Sequence, residues 1–159
     1  MKKPDKIKLA LSLALTVGTG AIAGICTATQ INSWYIGLQK PFFNPPNAVF
    51  APVWTFLYLL MGYSFYLVWK DPADDAAKSS AIAIFFVQLA VNLSWSFVFF
   101  TAHAIGWALV DIAVLWVLVN ITIGFFNRQS KLAAWLLIPY MLWVSFAGVL
   151  NYALWMLNK

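Results

Sequence analysis

Five almost unbroken apolar runs, at 7–28, 49–69, 81–101, 105–126 and 133–157, fix what this chain can become. A helix needs about 20 apolar residues to cross the ~30 Å hydrocarbon core of a bilayer, and each run is long enough. Of the 159 residues 63% are hydrophobic and 9% charged, and mean hydropathy is +0.81, more apolar surface than a water-soluble domain of this length can hide. A membrane β-barrel would show ~10-residue segments alternating polar and apolar, and that pattern is missing. The expected fold is an all-α membrane protein, a five-transmembrane-helix bundle forming one domain over 1–159. The longest connection, 29–48, lies between the first two spans.

The first run resembles a secretory signal in its basic start and its Cys-Thr-Ala ending. Its apolar stretch exceeds the ~7–15 residues of a signal core, so it is read as a retained helix. Gly20 and Gly24 within it are four apart and form a small-xxx-small face for close helix approach. The surrounding "GTGAIAG" echoes a dinucleotide fingerprint but lacks the preceding strand and the downstream acid that such a site needs.

Charge gives an orientation. With five spans, the N-terminus, the 70–80 loop and the 127–132 loop share one side. They carry Lys2, Lys3, Lys6, Lys8, Lys70, Lys78, Arg128 and Lys131, whereas the other side has only Lys40 and Lys159. By the positive-inside rule the N-terminus is expected in the cytoplasm, at a bacterial cell membrane, with loop 29–48 facing outward. The net charge of +5 then reflects orientation and contact with the lipid bilayer, not nucleic acid.

Cys26 is the only cysteine and His103 the only histidine. No disulfide, thiolate cluster, histidine-rich metal site or Ser-His-acid hydrolase can be assembled from that inventory, so no metal site is expected. Cys26 reads as a small packing residue.

The distinctive resource is aromatic: nine tryptophans, six tyrosines and thirteen phenylalanines. Trp34, Tyr35, Trp69 and Trp155 fall near predicted helix ends, where interfacial anchoring accounts for them. Trp54, Trp95, Trp107 and Trp143 share helix faces with polar or small residues. In the third span Gln88, Asn92, Trp95, Ser96 and Phe99 follow a three-to-four spacing, and amides in hydrocarbon require partners, so this stripe should face the bundle interior. In the fourth, His103, Trp107 and Asp111 recur every four residues. Asp111 is the only carboxylate within a span, either a functional group or one arm of a structural hydrogen bond. In the fifth, Trp143, Ala147, Leu150 and Asn151 share a face, and Pro139 can kink the helix one turn earlier. Small Ala147 beside Trp143 leaves room for a flat molecule against the indole.

"LQKPFFNPPNAVFAPVW", residues 38–54, places four of the seven prolines within the loop and the start of the second span. Proline fixes φ and has no N–H, so such a loop can close a membrane mouth with few unsatisfied donors and little entropy to lose. Asn47 is the expected cap of the second helix, with Pro52 delaying its start or kinking its first turns.

Read in order, "WYIGLQKPFFNPPNAVFAPVWTFLYLLMGYSFYLVW", "NLSWSFVFF", "WALVDIAVL" and "AAWLLIPYMLWVSFAGVLNYALWMLN" resemble successive segments of the translocator protein family, also called tryptophan-rich sensory proteins or peripheral benzodiazepine receptors (TspO/MBR). The K-P-x-x-x-P-P loop and the L-I-P-Y-x-x-W block are specific in combination, and the match covers about Trp34 to Asn158. The resemblance implies a five-helix bundle, often a homodimer, that binds porphyrins (protoporphyrin, haem), in some lineages sterols, and flat synthetic ligands, in a pocket under the first loop. It places at that pocket Tyr35, Pro45, Phe50, Trp54, Tyr58, Asn92, Trp95, Ser96, Asp111 or its neighbour Ile112, Trp143, Phe146, Ala147 and Leu150. It also implies three functional classes: a receptor or sensor linked to tetrapyrrole regulation and stress response, a light- and oxygen-dependent porphyrin-degrading enzyme using Trp54 and Trp143, and a transporter of porphyrin or sterol. None requires a resident cofactor; porphyrin or haem is the ligand. Lys40 is placed to meet ligand carboxylates or to reach lipid phosphate. Phe42 and Phe43 stand where relatives can have tryptophan, and the C-terminal sterol pattern is broken because six residues separate Tyr152 from Lys159.

Overall fold

A computed structural model describes residues 3–72 and 76–159. Lys2, one of the basic N-terminal set, lies outside the described residues, and of Lys3 only the backbone is described. The elements are α1 (Lys3–Ile31), a 3-10 turn (Tyr35–Gly37), α2 (Asn47–Trp69), α3 (Ala76–Ser96) continued by a π-helical turn (Phe97–Thr101), α4 (Ile105–Gln129), α5 (Lys131–Leu136) and α6 (Ile138–Asn158). They make five helical spans long and apolar enough to cross a membrane, the fifth formed by α5 and α6 together.

In hydrocarbon each backbone polar group must be satisfied within its own segment, so helices are the available solution. Hydroxyls obey the same constraint: Thr16, Thr19 and Thr27 each donate to the carbonyl four residues back, at 3.2, 2.9 and 3.0 Å. α1 and α2 pack closely where one of them has no side chain. Gly20 lies flush against the Tyr58 ring, and a Cβ at Gly62 would sit 2.5 Å from Thr16 Oγ1. Gly24, expected to share the contact face of Gly20, does not: a Cβ there would meet nothing within 4 Å.

α2 starts at Asn47, two residues before the expected boundary. Its N-cap is Pro46 in extended conformation, and no side chain caps it, so Asn47 is the first helical residue and not the cap. Pro52 is carried inside the helix without delaying it. The discontinuity expected at Pro139 occurs at Leu137, between α5 and α6. Pro139 sits in the first turn of α6, where a missing N–H has no helical partner to lose. Ser130 caps α5, its hydroxyl accepting from the Ala133 N–H at 3.3 Å.

The π-helical turn closes with the Ala102 N–H on the Phe97 carbonyl at 2.8 Å, and the chain reverses at His103, whose φ is 55°. The widened turn lets two adjacent side chains, Phe99 and Phe100, both point into the bundle. At the lysine-rich end the interior is solid: Phe65 stacks on Phe85 (4.6 Å, 9°) and Phe85 on Phe126 (5.7 Å, 20°), among Met61, Leu137 and Tyr140. At the end that carries segment 32–46 the interior is hollow.

Candidate ligand cavity

That hollow is a cavity of about 590 Å³, within the range of small-molecule sites. α1 gives one wall in small residues, Gly20, Ala23, Gly24 and Thr27. α2 brings Phe50, Trp54 and Tyr58; α3 with its π turn brings Asn92, Trp95, Ser96, Phe99 and Phe100; α6 brings Trp143, Ala147, Leu150 and Asn151; Tyr35 comes from the 3-10 turn. None of the described lining residues carries a charge.

Ten of the residues assigned by resemblance therefore line one space: Tyr35, Phe50, Trp54, Tyr58, Asn92, Trp95, Ser96, Trp143, Ala147 and Leu150. Four lie outside it. Asp111 accepts from the Ser94 hydroxyl at 2.9 Å, on the flank of α3 that points away from Asn92 and Trp95, which is the structural one of its two readings. Ile112 is buried in the solid core. Phe146 stands behind Trp143 (ring centroids 5.4 Å) and meets Phe43 edge-on at 6.5 Å. Pro45 turns its carbonyl to the Asn44 amide at 3.0 Å. Lys40 does not line the cavity: its ammonium donates to the Ile36 and Leu38 carbonyls at 3.2 and 3.3 Å and lies 4.9 Å from the Tyr35 ring centre. It staples the loop.

The rings are held at angles, so the walls are aromatic on several sides. Trp95 stacks on Phe99 at 5.1 Å, Trp54 lies 5.7 Å from Tyr58, and Phe50 meets Trp143 edge-on at 6.2 Å. Polar groups in the walls are mostly spent on one another. Tyr58 donates to Asn92 Oδ1 at 2.5 Å, Asn92 Nδ2 donates to the Tyr140 hydroxyl at 2.9 Å, and Tyr140 donates to Gln88 Oε1 at 3.0 Å. Trp95 Nε1 donates to Asn151 Oδ1 at 3.1 Å, while Asn151 Nδ2 holds the Ile105 carbonyl at 2.9 Å, tying α3, α6 and the start of α4 together. The indole N–H of Trp143 and Gln88 Nε2 are buried without partners.

Segment 32–46 is braced internally at one place and fastened over the end of the bundle at two. Tyr35 donates to Asn44 Oδ1 at 2.7 Å, and burial pushes its phenol up to about 12, so it remains a donor. Asn158, at the end of α6, makes a two-way bond with the Gln39 backbone, accepting from its N–H and donating to its carbonyl, both at 2.9 Å. Trp34 stacks on His103 at 4.2 Å and 13°, and His103 in turn contacts Gln30 Oε1 at 3.2 Å.

Sequence reasoning missed the whole α1 wall, together with Phe100 and Leu154. The signal was present as small residues recurring every three or four positions, but it is the same signal that close packing gives.

Comparison with known proteins accords with this architecture. The sequence model of the TspO/MBR family matches residues 10–156. The chain is 39% identical over 152 residues to the tryptophan-rich protein TspO of Archaeoglobus fulgidus, covering 96% of this chain and 97% of that one. It is 40% identical over 148 residues to the human translocator protein, covering 92% and 85%, and 34% identical over 126 residues to protein CrtK of Rhodobacter capsulatus, covering 79% of each. With a five-span helical bundle and a match over nearly its whole length, the chain belongs to the TspO/MBR family.

Proposed function

We propose that this protein is a membrane receptor and sensor that binds protoporphyrin, haem and related flat apolar molecules in the cavity beneath segment 32–46, linked to tetrapyrrole regulation and stress response, and that it works as a homodimer with its N-terminus in the cytoplasm. The observation that carries the reading is the wall chemistry: about 590 Å³ lined on several sides by tryptophan, tyrosine and phenylalanine rings and on the α1 side by small residues, with uncharged lining. A flat aromatic disc gains apolar burial and ring contacts there, and meets few unpaired polar groups. For haem iron the candidate ligands in the wall are the phenols of Tyr35 and Tyr58, each already donating to an amide oxygen, so metal-free protoporphyrin suits the walls better.

A second reading, light- and oxygen-dependent breakdown of protoporphyrin, is favoured by one observation: Trp54 and Trp143, both oxidisable, lie on the same cavity. Illumination of the purified protein with protoporphyrin separates the two. If the protein is a catalyst, Trp54→Phe and Trp143→Phe should each slow bleaching about tenfold with binding retained. If it is a receptor alone, bleaching matches free porphyrin in wild type and variants. Absence of saturable protoporphyrin binding to the wild type would overturn both.

A further inference from the structure

We infer that ligands reach this cavity sideways from the bilayer, through the gap between α1 and α2, while the fastened segment 32–46 stays closed. The inference rests on the cavity being the binding site proposed above and concerns how it is filled.

The exposed members of the cavity lining have a common location. Val17, Ala21, Gly24 and Ala28 stand on α1, Asn32 just past its end, and Ala48, Ala51 and Thr55 on the facing side of α2; the lining residues from α3, its π turn, α6 and Tyr35 are buried or half-buried. The mouth is therefore the seam between two neighbouring helices. The seam is shut toward the lysine-rich end, where Gly62 admits Thr16 and Gly20 admits the Tyr58 ring. One turn beyond Gly20 it opens, since a Cβ at Gly24 would meet nothing within 4 Å. Gly24 lies seven residues before the end of α1, about 10 Å at ~1.5 Å per residue, so the opening runs from the helix ends at Ala28 and Ala48 down to a depth that lipid chains reach. Above Val17 the lips carry small residues, Ala21, Gly24 and Ala28 facing Ala48 and Ala51, so a disc can pass edge-on there without displacing a large side chain. Across the end of the bundle the alternative route is fastened by the Asn158–Gln39 pair and the Trp34–His103 stack, and the Tyr35–Asn44 bond braces the segment internally. A planar apolar molecule already concentrates in the bilayer, so a side opening meets it where it resides.

The open space at Gly24 and the exposure of Ala51 allow large side chains to be seated on the rim without disturbing the core. The test follows quenching of cavity tryptophans after rapid mixing of reconstituted protein with either protoporphyrin or pyrene, a flat hydrocarbon without carboxylates. Gly24→Phe and Ala51→Phe, which narrow the seam, should slow both filling and emptying at least about tenfold, whereas side chains that only took up space in the void would speed emptying. A Gln39→Cys/Asn158→Cys pair in a Cys26→Ser background, joined by a short bis-maleimide, should leave filling within about twofold of wild type. Slow filling in the joined protein with normal rates in the two rim variants would overturn the side route in favour of entry under segment 32–46. Filling by pyrene but not by protoporphyrin would leave the side route standing and refute the porphyrin reading. Failure of both probes to reach the wild-type cavity would overturn the side route itself.

Discussion

At Asn92 one amide holds two phenols, accepting from Tyr58 and donating to Tyr140, so three helices meet at a single side chain. Asn92→Leu leaves both hydroxyls short of a partner in a low-dielectric interior and should cost about 2 kcal/mol in detergent unfolding. The double variant Tyr58→Phe/Asn92→Leu should recover part of that loss, because removing both members of a pair leaves fewer orphans. Strict additivity would mean that the bond carries nothing. Tyr35 gives a second residue-level expectation. Its folded value of about 12 lies above the ordinary tyrosine value of about 10, so the protonated donor is the form that folding favours. Its contribution is complete below about pH 10 and is lost as pH climbs toward the folded value. The difference in melting temperature between wild type and Tyr35→Phe should therefore be flat between about pH 6 and 9; a slope in that window would place a different ionisation at the latch.

Among the elements, α1 behaves as two helices in one. Near Gly20 it is a packing surface, and from Gly24 onward it is a cavity wall. Gly20→Leu should drive a side chain into the Tyr58 ring and cost roughly 2 kcal/mol, whereas Gly24→Leu should stay within about 0.5 kcal/mol. Equal costs in the same unfolding assay would mean that the helices do not diverge where the structure has them diverge. This division was not legible in the sequence, because small residues lining a void and small residues packed against a neighbour follow the same spacing. The π-helical turn was equally hidden. Nothing local in Phe97–Thr101 marks the extra residue per turn, yet that residue is what turns both Phe99 and Phe100 inward. By contrast, the stripe Gln88, Asn92, Trp95 and Ser96 was readable from spacing alone, since amides in hydrocarbon have to face one another.

Over the whole molecule the chain divides into a solid half, stacked from Phe65, Phe85 and Phe126, and a hollow half walled by rings. Five long apolar runs made the five-span bundle legible at once, and helix ends moved by only a few residues where polar flanks extended them. The cavity was legible in part. Residues on regular inward faces, such as Trp95, Trp143 and Ala147, line it, while Pro45, Asp111, Ile112 and Phe146 are held elsewhere by the Asn44 amide, a serine, the core and a neighbouring ring. The proposed uptake of a flat tetrapyrrole into this void is tested most directly by equilibrium titration of reconstituted protein with protoporphyrin, read by tryptophan quenching, with wild type set against Ala147→Leu. Leucine at this position fills space beside Trp143 without touching the polar bonds, so the melting temperature should hold while affinity falls at least about tenfold. Undiminished affinity in a folded Ala147→Leu protein would place the ligand elsewhere and contradict the account.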